Sequence, residues 1–189
     1  NHVTVPSSQV VNGDYFAFAD SVEISGTING DLYASGGQVV IDGRVNGDVL
    51  VAGGRVRLSG TVSQDVRAAG GQVTITGNVG RNLTVAGGNV EIDSPALVRG
   101  GLVAAGGSVD LSAPVEGPAK VAAGTLIVRN RIGADLDAAV RTLRLASKAD
   151  VQGNVNYWSG REAAVSEGAR IGGKIVRNVS PERTRVFPA

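Results

Sequence analysis

Asp14, Asp31, Asp48 and Asp65 recur every 17 residues, and Asn82 takes the next place in the series. Stacked on successive turns of a β structure, such carboxylates would lie about 5 Å apart. Charges that close can hold a cation between them. The same residues have a second chemistry open to them, because an Asp after a Gly can bond its own backbone and shape a corner. Asn82 and Asn154 substitute in the column. An amide can serve a turn but carries no charge, so the corner role is the better match. Little else in the chain could act on a substrate. The only His is His2, in the first residues, and there is no Cys. Disulfides and thiolate metal sites are therefore excluded.

The elements that must position these residues follow from the same period. Counted from each Asp, apolar residues occupy fixed offsets. One place on lie Tyr15, Leu32, Val49, Val66 and Leu83, and three places on lie Ala17, Ala34, Val51, Ala68 and Val85. Further along each repeat come the pairs Val39 and Ile41, Val56 and Leu58, Val73 and Ile75, and Val90 and Ile92. Offsets that differ by two mark short strands with one face turned inward. Glycines at 36–37, 53–54, 70–71 and 87–88, and at 26, 43, 60 and 77, are read as corners that require positive φ. Strand, corner, strand and corner close into a coil, and a repeat so rich in Gly and β-branched residues does not hold helices. The fold class is all-β: a single-stranded β-solenoid of about nine coils, with the eight paired residues above as its structural core.

Composition agrees with a narrow core. The chain has 28 Gly and only 4% aromatic residues, which favours filling by Val, Ile, Leu and Ala. A net charge of +1 gives no basic excess for nucleic acid. No apolar run approaches the roughly 18 residues of a membrane span. The chain starts at Asn1 and has no Met, and it is read as a piece of a longer protein. Residues 1–10 are expected as an N-terminal tail or cap, 11–176 as the solenoid, and 177–189 as a basic tail able to lead into a membrane segment.

Three surface features stand out. A column of small residues (Ser35, Ala52, Ala69, Ala86, Ala105, Ala122 and Ala139) is read as a tight corner in preference to a flat outward strip. The aromatics Tyr15, Phe16, Phe18, Tyr33, Tyr157 and Trp158 fall in the first and last coils, with none between 34 and 156. They are candidate caps or end-contact residues. Charge is polarised as well. Residues 1–48 hold six acids against Arg44, a net of −5, and residues 170–189 hold five bases against Glu182, a net of +4. Opposite ends of opposite sign favour head-to-tail over head-to-head contact, and the basic end could meet anionic lipid. Asn82-Leu83-Thr84 and Asn178-Val179-Ser180 match the glycosylation triplet, a short pattern of low specificity.

The V-x-G-D…G-G-x-V-x-I-x-G run over residues 11 to about 176 resembles bactofilins, the polymer-forming cytoskeletal proteins of bacteria. It looks closest to relatives that carry such a solenoid in a membrane-attached protein. The resemblance implies a right-handed, three-sided β-helix that polymerises end to end without a nucleotide, in filaments lacking polarity. It also implies a place at the bacterial cell envelope, membrane-attached or extracytoplasmic, or alternatively a cytoplasmic filament on the membrane.

Catalysis is not expected. A hexapeptide-repeat acyltransferase would show a coil of about 18 residues and a catalytic His, and a calcium-binding roll would show G-G-x-G-x-D at half this period. A β-helix lyase would need long loops to build a cleft, and these coils leave no space for them. No nucleophile–base pair, phosphate loop or cofactor motif is visible. The expected function is a structural scaffold that self-associates through its end coils. The competing class is a monomeric surface or periplasmic module binding a polysaccharide or protein, which would need an aromatic or polar stripe along one face.

Overall fold

The structure is a computed structural model that describes residues 1–179. It is an all-β solenoid of about ten turns of 17 residues, with parallel strands stacked in register. Each coil has three sides. The first and second meet at a Gly-Gly corner within single ten-residue strands such as Leu32–Ile41, Val49–Leu58 and Val66–Ile75. The third side is short, as at Arg44–Val45 and Thr61–Val62. Register is like on like: Val66 pairs with Val49 and Leu83, and Val73 with Val56 and Val90.

Alternation along each strand decides what faces inward. In one coil Leu32, Ala34, Val39, Ile41 and Val45 are all buried. Val56, Leu58, Val73, Ile75, Val90 and Ile92 are likewise at most 1% exposed. β-Branched side chains suit these columns, because one stiff rotamer repeated coil after coil packs against its own image.

The expected nine coils become ten because the first residues are not a tail. His2–Val5 is a strand laid parallel on Ser21–Ile24, and it contains the lone His2. The offset there is 19 residues (His2 opposite Ser21), which hid the extra coil from a count based on 17. At the other end Ile175–Asn178 pairs with Val155–Trp158, so the solenoid takes in Arg177 and Asn178. The remainder of the basic tail, 180–189 with Phe187, lies outside the described residues.

The glycine corners also need a correction. Among the described residues only Gly13 and Gly168 have positive φ. The corner glycines are there for space. A Cβ on Gly60 would strike the carbonyl oxygen of Gly43 in the coil before it, and one on Gly77 would strike that of Gly60. Where these glycines stack on one another, the corners approach too closely for a side chain.

Candidate functional site

The aspartate column is a ladder between coils. Asp14 Oδ1 accepts the backbone N–H of Asp31 at 2.8 Å, Asp31 that of Asp48 at 2.7 Å, and Asp48 that of Asp65 at 2.9 Å. Asp65 accepts from Asn82, and the Asn82 amide oxygen accepts from Gly101 at 2.8 Å. Asp135 and Asn154 repeat the bond further on. The expectation that each Asp bonds its own backbone is thus corrected: the partner is the next coil's N–H. One carbonyl-type oxygen suffices for that bond, which explains why Asn substitutes freely. On the third side Asn12, Asn29 and Asn46 form a second ladder through their amides. Among the described residues no group of three or more His, Cys, Asp or Glu is placed to hold a metal.

The outward surface of the first side carries the more distinctive chemistry. We number its strands as rungs, from Tyr15–Phe18 as rung one. Between the buried positions two columns point out. One runs Phe16, Tyr33, Leu50, Arg67, Thr84 and Val103. The other runs Phe18, Ser35, Ala52, Ala69, Ala86, Ala105, Ala122, Ala139 and Trp158. The small column is exposed along its whole length, so it is a flat strip and not the tight corner expected. Strand alternation required this, because the residue before it in each strand is a core residue.

The aromatics expected as caps or end contacts divide in the same way. Tyr15 is half-buried against the first rung of the core, and Tyr157 is buried with its hydroxyl accepting the N–H of Ala163 at 2.9 Å. Phe16, Phe18, Tyr33 and Trp158 lie on the lateral face. Phe16 and Phe18 are 61% and 65% exposed. The Phe16 and Tyr33 rings stack with centroids 4.8 Å apart and planes within 7°, an offset of one rung that the parallel register supplies. Together with Leu50, Ala52, Ala69, Ala86, Arg67 and Thr84 they line an open groove of about 480 Å³ on rungs one to five. The sequence signal for this groove was present in the outward parity of Phe16, Tyr33 and Leu50.

The two ends differ from the flanks. Ile175 and Val165 stack on the buried Val155 and Leu145 of inward columns, yet they are 42% and 48% exposed. Arg161, Arg170, Lys174 and Arg177 outnumber Glu162 and Glu167 at this end, while Asp14, Asp20, Glu23, Asp31, Asp42 and Asp48 gather at the other. Among the described residues the only ion pairs are Asn1 with Asp20 and Arg129 with Asp110, so apart from Asp20 neither end group is paired within the described part of the chain. No helix of the described residues is long and apolar enough to cross a membrane. No protein-family model, curated protein or solved structure matches this chain.

Proposed function

We propose that the chain is a structural rod that joins copies of itself head to tail into filaments. The observation that carries this reading is the exposure of inward columns at one end, where Ile175 and Val165 are open although Val155 and Leu145 beneath them are buried. The described chain enters the solenoid on the second side, at His2–Val5, and its last described strand, Ile175–Asn178, lies on the first side. Seven ten-residue strands, with His2–Val5 and Ser21–Ile24 before them and Ala164–Val165 after, give ten rungs on the second side. The same seven, with Tyr15–Phe18 before and Val155–Trp158 and Ile175–Asn178 after, give ten on the first. A second copy stacked on this end would lay its strands parallel on the open ones. Its Tyr15–Phe18 would sit on Ile175–Asn178, and its His2–Val5 on Ala164–Val165.

Unpaired strand edges recruit further strands, and here the apolar columns would run on through the junction. The acidic first coils would meet Arg170, Lys174 and Arg177, which favours head-to-tail order. The resemblance to bactofilins supports a polymer at the bacterial cell envelope, here with polarity. Negative-stain electron microscopy of the chain, with and without residues 180–189, tests the reading. Filaments repeating every ~48 Å, ten rungs of about 4.8 Å, are expected. Single short rods at every concentration would overturn it and leave the monomeric binding module.

A further inference from the structure

We propose that the head-to-tail junction has a single register, set by a corner that the first and last coils share and by the pairing of Lys174 with Asp14. This register presupposes the head-to-tail order and fixes its alignment. The last coil turns from Ala164–Val165 to Arg170–Ile171 through four residues, with the Ala169 N–H donating to the Ser166 carbonyl at 3.1 Å. The coil beneath has the same turn, closed by the Ala149 N–H on the Ala146 carbonyl at 2.9 Å. The two turns stack, and the Arg170 N–H donates to the Ala149 carbonyl at 2.9 Å. At the other end of the rod the first coil turns from His2–Val5 to Val10–Asn12 through Pro6–Gln9, closed by the Gln9 N–H on the Pro6 carbonyl at 2.9 Å. Most coils between pass this corner in two residues, as Asp42-Gly43 and Ser59-Gly60 do. Pro6–Gln9 of a second copy would be the third such turn in the stack.

With Pro6 on Ser166, the rest of both coils falls into line without an insertion. Val5 lands on Val165, Val11 on Ile171 and Tyr15 on Ile175, so the inward columns run on. Charges follow the same alignment. Lys174 is the one cation in the aspartate column, and its N–H donates to Asn154 Oδ1 at 2.9 Å. A Lys side chain accepts no hydrogen bond, so the ladder stops there. Its ammonium instead stands one rung, about 4.8 Å, from Asp14 of the next copy. Asp14 Oδ1 is held by the Asp31 N–H, which leaves the second oxygen for the cation. Glu162 lands on His2 and Arg177 on Ala17, and no two side chains of like charge coincide. A slip of one residue would turn every column inside out. A slip of two keeps the faces but sets Lys174 on Asn12 or Phe16 and puts the turns out of step.

The chain has no Cys, so cysteines placed at Thr4 and Ala164 report the junction. Both residues are exposed and share one outward column, and the register sets Thr4 of one copy on Ala164 of the other. A short bismaleimide should cross-link T4C to A164C in a mixture, and neither variant to itself. D14K in the T4C chain, or K174D in the A164C chain, sets like charges together and is expected to slow the reaction about fivefold. Both changes at once restore an opposite pair and should return the rate to within about twofold of the parent mixture. D14K also removes the acceptor of the Asp31 N–H. Where circular dichroism shows it unfolded, D14N keeps that bond and should react with the K174D chain faster than the Asp14 chain does. Equal rates in all four mixtures would keep head-to-tail order and overturn the Lys174–Asp14 pairing. Filaments in micrographs without a T4C–A164C product would overturn the register. Neither filaments nor product would overturn head-to-tail order itself, and the register with it.

Discussion

Asp48 Oδ1 lies 2.9 Å from the backbone nitrogen of Asp65, 17 residues further on, so the carboxylate of one coil holds the start of the next. The bond needs one acceptor oxygen and no charge. D48N is therefore expected to unfold at the parent temperature, as Asn82 and Asn154 already perform this role. D48A leaves the Asp65 N–H to water and should cost about 1 kcal/mol, or a fall of about 3 °C in Tm. A scanning calorimeter separates the two. An equal loss in both variants would mean that charge, not geometry, matters at this column.

Gly77 faces the carbonyl oxygen of Gly60 with no space for a methyl group. G77A must therefore push two coils apart in the middle of the stack, where neighbours share stability. A loss of about 1–3 kcal/mol is expected, read as a lower urea midpoint. The effect should be far smaller for G160A, where nothing stands within 4 Å of the new Cβ.

Val73 is completely buried between Val56 and Val90. V73D places an unpaired carboxylate in the dry axis and should abolish the β signal in far-UV circular dichroism. A folded V73D rod would show that this column does not face inward.

Ile175 is part-exposed at the C-terminal edge, so I175D should fold and yet stop head-to-tail growth in electron micrographs. Phe16 and Phe18 belong to the strand that meets Ile175–Asn178 of the next copy but point sideways, so F16S/F18S should fold and weaken the filaments less than I175D does. Filaments lost in F16S/F18S but kept in I175D would mean that the outward side chains, and not the inner columns, make the contact.

Junctions built on opposite charge weaken as salt shortens the Debye length, from about 10 Å at 0.1 M to about 3 Å at 1 M. Filament length is expected to fall over that range at constant protein concentration. Filaments that lengthen would mean that apolar burial at Ile175 and Val165 dominates the contact.

Most of the fold was legible because a 17-residue period leaves little freedom. Val39 and Ile41 recur as Val56 and Leu58, then Val73 and Ile75, and a pattern that repeats in register can bury its apolar columns only by stacking. The first coil was not legible, because His2 opposes Ser21 at an offset of 19 and a single irregular repeat has no neighbour to declare it. The groove was half legible. Phe16, Tyr33 and Leu50 share a parity that turns them outward, but sequence distance alone grouped Phe16 with Tyr15 as an end residue.

The sequence by itself determined the solenoid, its core columns and the polarity of its charge, since each depends only on residue type at a fixed spacing. Tertiary structure decided three things that spacing does not contain. It converted the Asp column from a set of local turns into a ladder, because only stacking brings Asp48 to the nitrogen of Asp65. It made the corner glycines a matter of clearance between coils and not of φ. It also turned Phe16, Phe18 and Trp158 outward on a flank and Tyr157 inward, because rungs add along the axis while side chains project across it.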